Sequence, residues 1–536
     1  MAKSVSPLEA ARVSYQPRFP PVLDPGSGGF AFDAGRPTTA RADVREIADR
    51  FPRTHGRPAL KLIHGAAAVD AAPATVGVVL SGGQAPGGHN VIVGLHDGLQ
   101  AVRPGSRLLG FLGGPRGILE GRFRELTADV LQPYRNTGGF DLIGAGRDKI
   151  ETEDDLAACR ATCEKLGVTG LVIVGGDDSN TNAAVLAEFF LEQGVAVTVN
   201  GVPKTIDGDL KGDEIETSFG FDTATKVYSE LIGNLCRDAR SATKYWHFVK
   251  LMGRSASHVT LECVLQTHAN VALIGEEVRE KQWTLEQIVD HVATVVGDRA
   301  RAGKNYGVCL IPEGLIEFIP EMRRLIDGLN RMRSGPGNEQ LSAADGRVFD
   351  SLPATIKAQL LQDRDAHGNV QVSRIDTEQL LIRKVAERVE KLQFPGKFLV
   401  QGHFFGYEGR CAAPSDFDAD YAYALGRLTA ILTASGKTGY MASIGNLVLP
   451  PDRWTATGVP LTSLMRMELR KGRPTEVIEK ALVRLDGEPF RAFAAARARW
   501  AVEDEYRYPG AIQYFGPSAV SSAITETLRL ERGSAA

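Results

Sequence analysis

Gly175-Gly176-Asp177-Asp178-Ser179 and Pro203-Lys204-Thr205-Ile206-Asp207-Gly208-Asp209 each follow a short apolar run, and their residue types together describe phosphoryl-transfer chemistry. Glycines admit phosphate oxygens to the backbone, carboxylates hold a hard cation or take a proton, and Lys204 offers the positive charge that a transferring phosphoryl group requires. Each loop also has a plainer reading. Asp177 and Asp178 could mark an acidic helix start favoured by the helix dipole. That accounts for one of them, whereas adjacent aspartates behind Gly-Gly are better accounted for by Mg2+ bound to a polyphosphate. Thr205 to Asp209 could be a turn in which Asp and Gly serve only the backbone. Lys204 beside two acids instead makes a phosphate clamp together with a general base able to activate a hydroxyl.

Other loops carry weaker signals. Ser81-Gly82-Gly83-Gln84-Ala85-Pro86-Gly87-Gly88 can form an anion nest of backbone N–H groups, yet such turns are common and this one matches neither the dinucleotide fingerprint nor the P-loop. Arg147, Arg254 and Arg410 are each presented by small residues at loop positions, and each could equally be a solvated surface arginine. Glu313, between Pro312 and Gly314, reads either as a strand-end charge or as a partner for a sugar hydroxyl.

The elements that must position these loops alternate. Apolar runs at Val76 to Leu80, Leu108 to Phe111, Leu171 to Val174 and Val195 to Val199 are interleaved with helical patterns at Asn90 to Val102, after Thr152, and from Asn180 to Gln193. Thr152 with Asp155 reads as a capping box, and Gly167 as that helix's stop. A second set follows: strands at Tyr245 to Leu251, Val271 to Ile274 and Tyr306 to Ile311, with helices at Ser255 to His268 and Thr284 to Val296, then Phe398 to Gln401 and a helix from Asp418 to Thr433. The expected fold is α/β, with two doubly wound, mostly parallel-sheet domains and a helical insertion. We expect an N-terminal extension over 1–74, a first domain over 75–240, and a second over 241–317 and 394–450. The insertion occupies 318–393, interrupted at Ser334-Gly335-Pro336-Gly337, and 451–536 completes the domains.

Composition bounds the rest. The 536 residues are 43% hydrophobic and 24% charged with net charge −3, which describes an ordinary globular chain without the basic footprint of a nucleic-acid binder. No stretch approaches the ~20 apolar residues of a membrane span, and Met1 to Phe19 lacks the apolar core of a signal peptide, so a cytoplasmic location is expected. Six cysteines are scattered; Cys159 and Cys163 share a helical stripe with Leu156 and Leu166 and read as reduced, packed thiols.

Taken in order, Gly82 to Gly87, Gly175 to Ser179, Pro203 to Asp209, Met252-Gly253-Arg254, Pro312-Glu313-Gly314 and Gly406-Tyr407-Glu408-Gly409-Arg410 resemble the motifs of the pyrophosphate-dependent 6-phosphofructokinases of the long, plant-like type. The resemblance runs from about Val76 to Phe417. It implies transfer from pyrophosphate to fructose 6-phosphate, with Asp207 taking the proton of the sugar 1-hydroxyl, Asp177 on Mg2+, Gly83 and Arg147 along pyrophosphate, and Lys204 on the transferring phosphoryl group. Thr205, Ile206, Asp207, Met252, Gly253, Arg254, Glu313, Tyr407, Glu408, Gly409 and Arg410 would hold the sugar phosphate. Lys244 and Tyr245 match positions that reach a neighbouring subunit's substrate, which implies a homodimer or higher homo-oligomer. ATP-using relatives carry glycine where this chain has Asp178 and Lys204, so the resemblance implies selection of pyrophosphate, Asp178 crowding and repelling a nucleotide's further phosphate and Lys204 taking up charge on the compact pyrophosphate. The rival readings are an ATP-dependent phosphofructokinase, a non-catalytic subunit of the same family, and a dinucleotide-dependent oxidoreductase, whose fingerprint is missing.

Overall fold

Strands form where aliphatic and β-branched residues cluster. The computed structural model describes residues 7–66, 72–334, 340–362, 370–470, 473–512, 522 and 524–533; the expected interruption at Gly335 to Gly337 lies outside them. In chain order the strands are β1 (Ala31–Pro37), β2 (Pro58–Ile63), β3 (Thr75–Leu80), β4 (Arg107–Phe111), β5 (Phe123–Glu125), β6 (Gly170–Gly175), β7 (Thr198–Pro203) and β8 (Trp246–Leu251). Then come β9 (Val271–Ala272), β10 (Gly307–Pro312), β11 (Val400–Phe405), β12 (Tyr440–Gly445), β13 (Thr455–Pro460), β14 (Met465–Arg470) and β15 (Arg473–Ile478).

Nine strands make one sheet in the order β1-β2-β13-β12-β7-β6-β3-β4-β5. Its centre, β12 through β4, is parallel, and antiparallel strands close both edges. Parallel strands covered on both faces are apolar throughout. Accordingly Val76, Val78, Leu80, Val172 and Val174 pack into one layer, with the helices Gly88–Val102 and Asp416–Ala434. Val79, Leu171 and Ile173 pack into the other, with Glu153–Leu166 and Asp177–Glu192, where Cys159 and Cys163 are buried free thiols. The Thr152 capping box forms with both of its hydrogen bonds, and Gly167 closes the helix at φ 64°.

The second sheet, β11-β8-β10-β9, is entirely parallel. Trp246, Phe248 and Ile311 bury against the helices Leu285–Arg301, Pro320–Ser334 and Thr377–Lys391. Val249, Leu251 and Leu310 turn the other way, into a core shared with the first sheet's helices. Among the described residues no helix is long and apolar enough to cross a membrane.

The boundaries differ from expectation in several places. β1 and β2, within the expected extension 1–74, are strands of the large sheet, joined to it where β2 pairs with β13. Of the segment 394–450 expected in the second domain, β11 joins the second sheet, but β12 pairs in parallel with β7, and Asp416–Ala434 packs on Gly88–Val102, so the chain has by then returned to the first sheet. β7 begins at Thr198, not Val195, and the helix expected from Asn180 begins at Asp177.

Candidate active site

Strand C-termini deliver the chemistry. At the switch between β3 and β6, where an open sheet leaves a crevice, β3 leads into Ser81-Gly82-Gly83 and β6 into Gly176 and the first turn of Asp177–Glu192. β7 leads directly into Lys204 and β10 into Glu313; β8 leads into Met252 to Arg254 and β11 through Gly406 into Tyr407 to Arg410. These loops enclose a cleft of about 350 Å³.

At one end Asp177 and Asp178 project from the first helical turn. Burial raises the Asp177 carboxyl and the charge of Asp178 adds to this, while Lys480, 3.5 Å away, opposes both. Asp177 Oδ2 is buried without a hydrogen-bond partner. No group of three or more His, Cys, Asp or Glu side chains suited to a metal occurs among the described residues. A single carboxylate whose buried oxygen has the Lys480 ammonium as an ion-pair partner but no hydrogen bond among the described residues fits Mg2+, which takes few protein ligands and completes its shell from phosphate and water. Asp178 behaves differently: burial works to raise its carboxyl, but a hydrogen bond from Arg470 and the nearby Lys149 bring it below the usual range. Arg470 Nη1 donates to Asp178 Oδ1 at 2.6 Å.

The two aspartate-bearing loops are locked to each other. Asn180, fully buried, donates from Nδ2 to the carbonyls of Gly175 at 2.6 Å and Gly176 at 2.9 Å. Lys204 N–H donates to the Gly175 carbonyl at 2.9 Å. The Lys204 side chain is buried and donates from Nζ to the Gly83 carbonyl at 2.8 Å. Burial, then the charge of Arg410, brings its ammonium down to about 8. The Asp207 N–H donates to Thr205 Oγ1 at 3.0 Å, and that hydroxyl donates to Asp209 Oδ1 at 3.2 Å, so one threonine sets the loop that presents Asp207. Burial, reinforced by the charge of Asp207, pushes the Asp209 carboxyl up to about 7.

At the other end Glu313 is buried, its carboxyl raised chiefly by that burial, and it accepts the Gly253 N–H at 3.2 Å. Arg410 lies over Gly83 so closely that a Cβ there would sit 2.5 Å from its Nη1, and its Nε is buried without a hydrogen-bond partner. Gly82, at φ 86°, has a conformation that other residues rarely adopt.

Of the residues singled out in the sequence, Gly83, Arg147, Asp177, Asp178, Lys204, Thr205, Ile206, Asp207, Met252, Arg254, Glu313, Tyr407 and Arg410 line one cleft. Gly253 contributes its N–H to Glu313. Glu408 is exposed and does not line the cleft, and Gly409 packs against Tyr228, where a Cβ would come within 2.5 Å of the ring. Lys244 and Tyr245 are not brought there either. They precede β8, whose other end opens on the cleft, and six residues of strand span roughly 20 Å.

A family model described as phosphofructokinase matches residues 75–429. The chain belongs to the phosphofructokinase family. Curated relatives extend the match over the whole length. The Porphyromonas gingivalis protein named pyrophosphate–fructose 6-phosphate 1-phosphotransferase is 52% identical, covering 99% of this chain and 100% of that protein. The Arabidopsis thaliana pyrophosphate–fructose 6-phosphate 1-phosphotransferase subunit beta 1 is 49% identical, covering 99% and 95%. Among solved structures, a pyrophosphate-dependent phosphofructokinase from Nitrosospira multiformis has a TM-score of 0.55 at 14% identity, covering 87% of this chain and 98% of that one, which shows the phosphofructokinase fold.

This phosphofructokinase cleft also contains residues that the sequence reading did not single out. Lys480 sits between Asp177 and Asp209 and donates to Ser255 Oγ at 3.1 Å. Its backbone is strung across the loop: Glu479 N–H donates to the Leu464 carbonyl and Ala481 N–H to the Asp209 carbonyl. Gln371 and Ser373 line it from the helical insertion, while Arg470, at the end of β14, is not itself in the lining and meets the cleft through Asp178. The alternation Met465-Arg466-Met467-Glu468-Leu469-Arg470 carries a strand signal, but no local pattern says which of its residues reaches Asp178.

Proposed function

We propose that this phosphofructokinase-family chain catalyses reversible phosphoryl transfer between pyrophosphate and the 1-hydroxyl of fructose 6-phosphate, giving fructose 1,6-bisphosphate and phosphate. The observation that carries the reading is the pairing of Asp178 and Lys204 on the rim and floor of one cleft, together with full-length relatives that bear this activity in their names. Lys204 is buried and cationic at neutral pH, suited to the compact charge of a transferring phosphoryl group.

The chain's own groups divide the work. Asp207 accepts the proton of the sugar 1-hydroxyl as its oxygen attacks a phosphorus of pyrophosphate; the new O–P bond forms as the bridging P–O bond breaks and phosphate leaves. Lys204 stabilises the charge on the transferring group. Arg147 and the Gly83 turn hold pyrophosphate, while Glu313, Arg254, Met252 and Arg410 orient the sugar phosphate. Asp177 would hold Mg2+, which when bound neutralises charge on the pyrophosphate oxygens. Lys244, exposed beside the Tyr245 ring at 5.0 Å, is suited to substrate held by a second copy, and the working enzyme is then a homodimer or higher homo-oligomer in the cytoplasm. Product formation with pyrophosphate or ATP as sole donor tests the reading.

A further inference from the structure

Asp178 is half-exposed, yet its carboxylate is held from two sides: Arg470 Nη1 donates to Oδ1 at 2.6 Å, and Lys149 Nζ lies 3.7 Å from the same oxygen. The guanidinium is itself oriented, its Nε donating to Glu468 Oε2 at 3.3 Å. Arg470 ends β14, and the β14–β15 pair is fastened to the helix that carries Asp178, because Ile478 N–H donates to Thr181 Oγ1 at 3.0 Å. The N-terminal region braces β14 in turn, through Met467 N–H and the Asp43 carboxylate at 2.8 Å. The bond therefore joins two points of one braced frame. A pair this exposed contributes little to overall stability; what it fixes is where a carboxylate stands.

We propose that Arg470 is a positioning residue for donor selectivity: it holds the Asp178 carboxylate across the cleft rim and so keeps filled the space that a nucleoside triphosphate's additional phosphate would need. The inference rests on the pyrophosphate reading above. Two cations beside Asp178 offset its charge, so a nucleotide is excluded by fixed volume more than by repulsion. Without the guanidinium the side chain regains its other rotamers, and the space is open for part of the time.

The test uses the full chain, fructose 6-phosphate and Mg2+, and compares kcat/KM for pyrophosphate with that for ATP in the parent, Arg470→Gln, Asp178→Gly and the double variant. Arg470→Gln is expected to raise the ATP-to-pyrophosphate ratio roughly tenfold, within the coupling range of side chains in direct contact. In the Asp178→Gly background the same change is expected to leave the ratio where it was. Arg470→Lys, which keeps the charge but loses the planar fork, should fall between; it also serves if the glutamine variant fails to fold. A merely structural Arg470 would lower both donors in proportion. An unchanged ratio in Arg470→Gln and Arg470→Lys, or an equal change with and without Asp178, would overturn the role of Arg470 alone. A parent inactive with pyrophosphate would overturn the underlying reading as well.

Discussion

Lys204 Nζ donates to the Gly83 carbonyl at 2.8 Å, and this bond ties the glycine turn after β3 to the aspartate loop after β7. One acceptor occupies one of three N–H donors, so the ammonium is fixed in place with donors left for a phosphoryl oxygen. Its burial is what makes that charge effective and also what makes it costly to keep.

The pH profile should show this. With the free Lys204 ammonium brought down to about 8, kcat/KM for pyrophosphate is expected to fall on an alkaline limb near that pH, since this parameter reports the free enzyme. The limb in kcat should lie higher, because bound anionic phosphate favours the charged form. Lys204→Met should remove the limb and lower kcat by about 10²–10³, the usual cost of one transition-state donor. A limb that persists in Lys204→Met belongs to another group.

Asp207→Ala is expected to lower kcat by about 10²–10⁴, the range for a general base, while fructose 6-phosphate still binds, as measured by calorimetry or equilibrium dialysis. Thr205 and Asp209 set the loop and remain in this variant. Near-normal turnover would remove Asp207 from the base role.

The parts of this site that could be read from the sequence are those encoded locally. Val76 to Leu80 is an apolar run followed by Ser81-Gly82-Gly83 and Leu171 to Val174 one followed by Gly175-Gly176, so the turn at Gly83 and the acids at Asp177 and Asp178 are placed at strand ends by local pattern alone. The Thr152 cap was equally legible, because both of its partners lie within one turn. β7 begins three residues beyond its expected start because it runs through Asn200, a polar residue satisfied only by distant groups: it donates to the Lys437 carbonyl at 2.8 Å and accepts from Tyr440 N–H at 3.3 Å. The helix after β6 starts early because Gly176 serves as its N-cap, and its first turn favours acids through the dipole. Arg470 and Lys480 were invisible for a related reason. Arg470 meets Asp178 across 292 positions of sequence, a contact set by how β14 and β15 pack rather than by any nearby pattern.

Asp209 gives a stability prediction. Its carboxyl is pushed up to about 7 in the folded chain, first by burial and then by Asp207, against about 4 when unfolded. Between those values the native state holds a proton that the unfolded chain has lost, so this group makes stability fall as pH rises from about 4 to about 7. Asp209→Asn should therefore gain stability relative to the parent between pH 5 and pH 7, read as a shift in urea midpoint. Equal midpoint changes in the two proteins would show that the Asp209 charge is not carried into the fold at a cost.

Donor choice is expected to shift when the Asp178 and Lys204 side chains are removed. Asp178→Gly with Lys204→Gly opens the cleft rim and removes the buried ammonium, so kcat/KM with ATP is expected to rise ~10-fold or more while that with pyrophosphate falls. The glycine at 204 also releases the Gly83 carbonyl, so the pyrophosphate loss should exceed that of Asp178→Gly alone. If ATP use does not rise at all, these two side chains are insufficient to exclude it.

The most direct measurement is fructose 1,6-bisphosphate formation by the purified chain, in a coupled assay with fructose 6-phosphate and Mg2+ and either pyrophosphate or ATP as the only donor. The account predicts turnover with pyrophosphate and a kcat/KM with ATP at least ~10²-fold lower, the scale on which a mismatched pocket discriminates. Strong activity with ATP and none with pyrophosphate would contradict it.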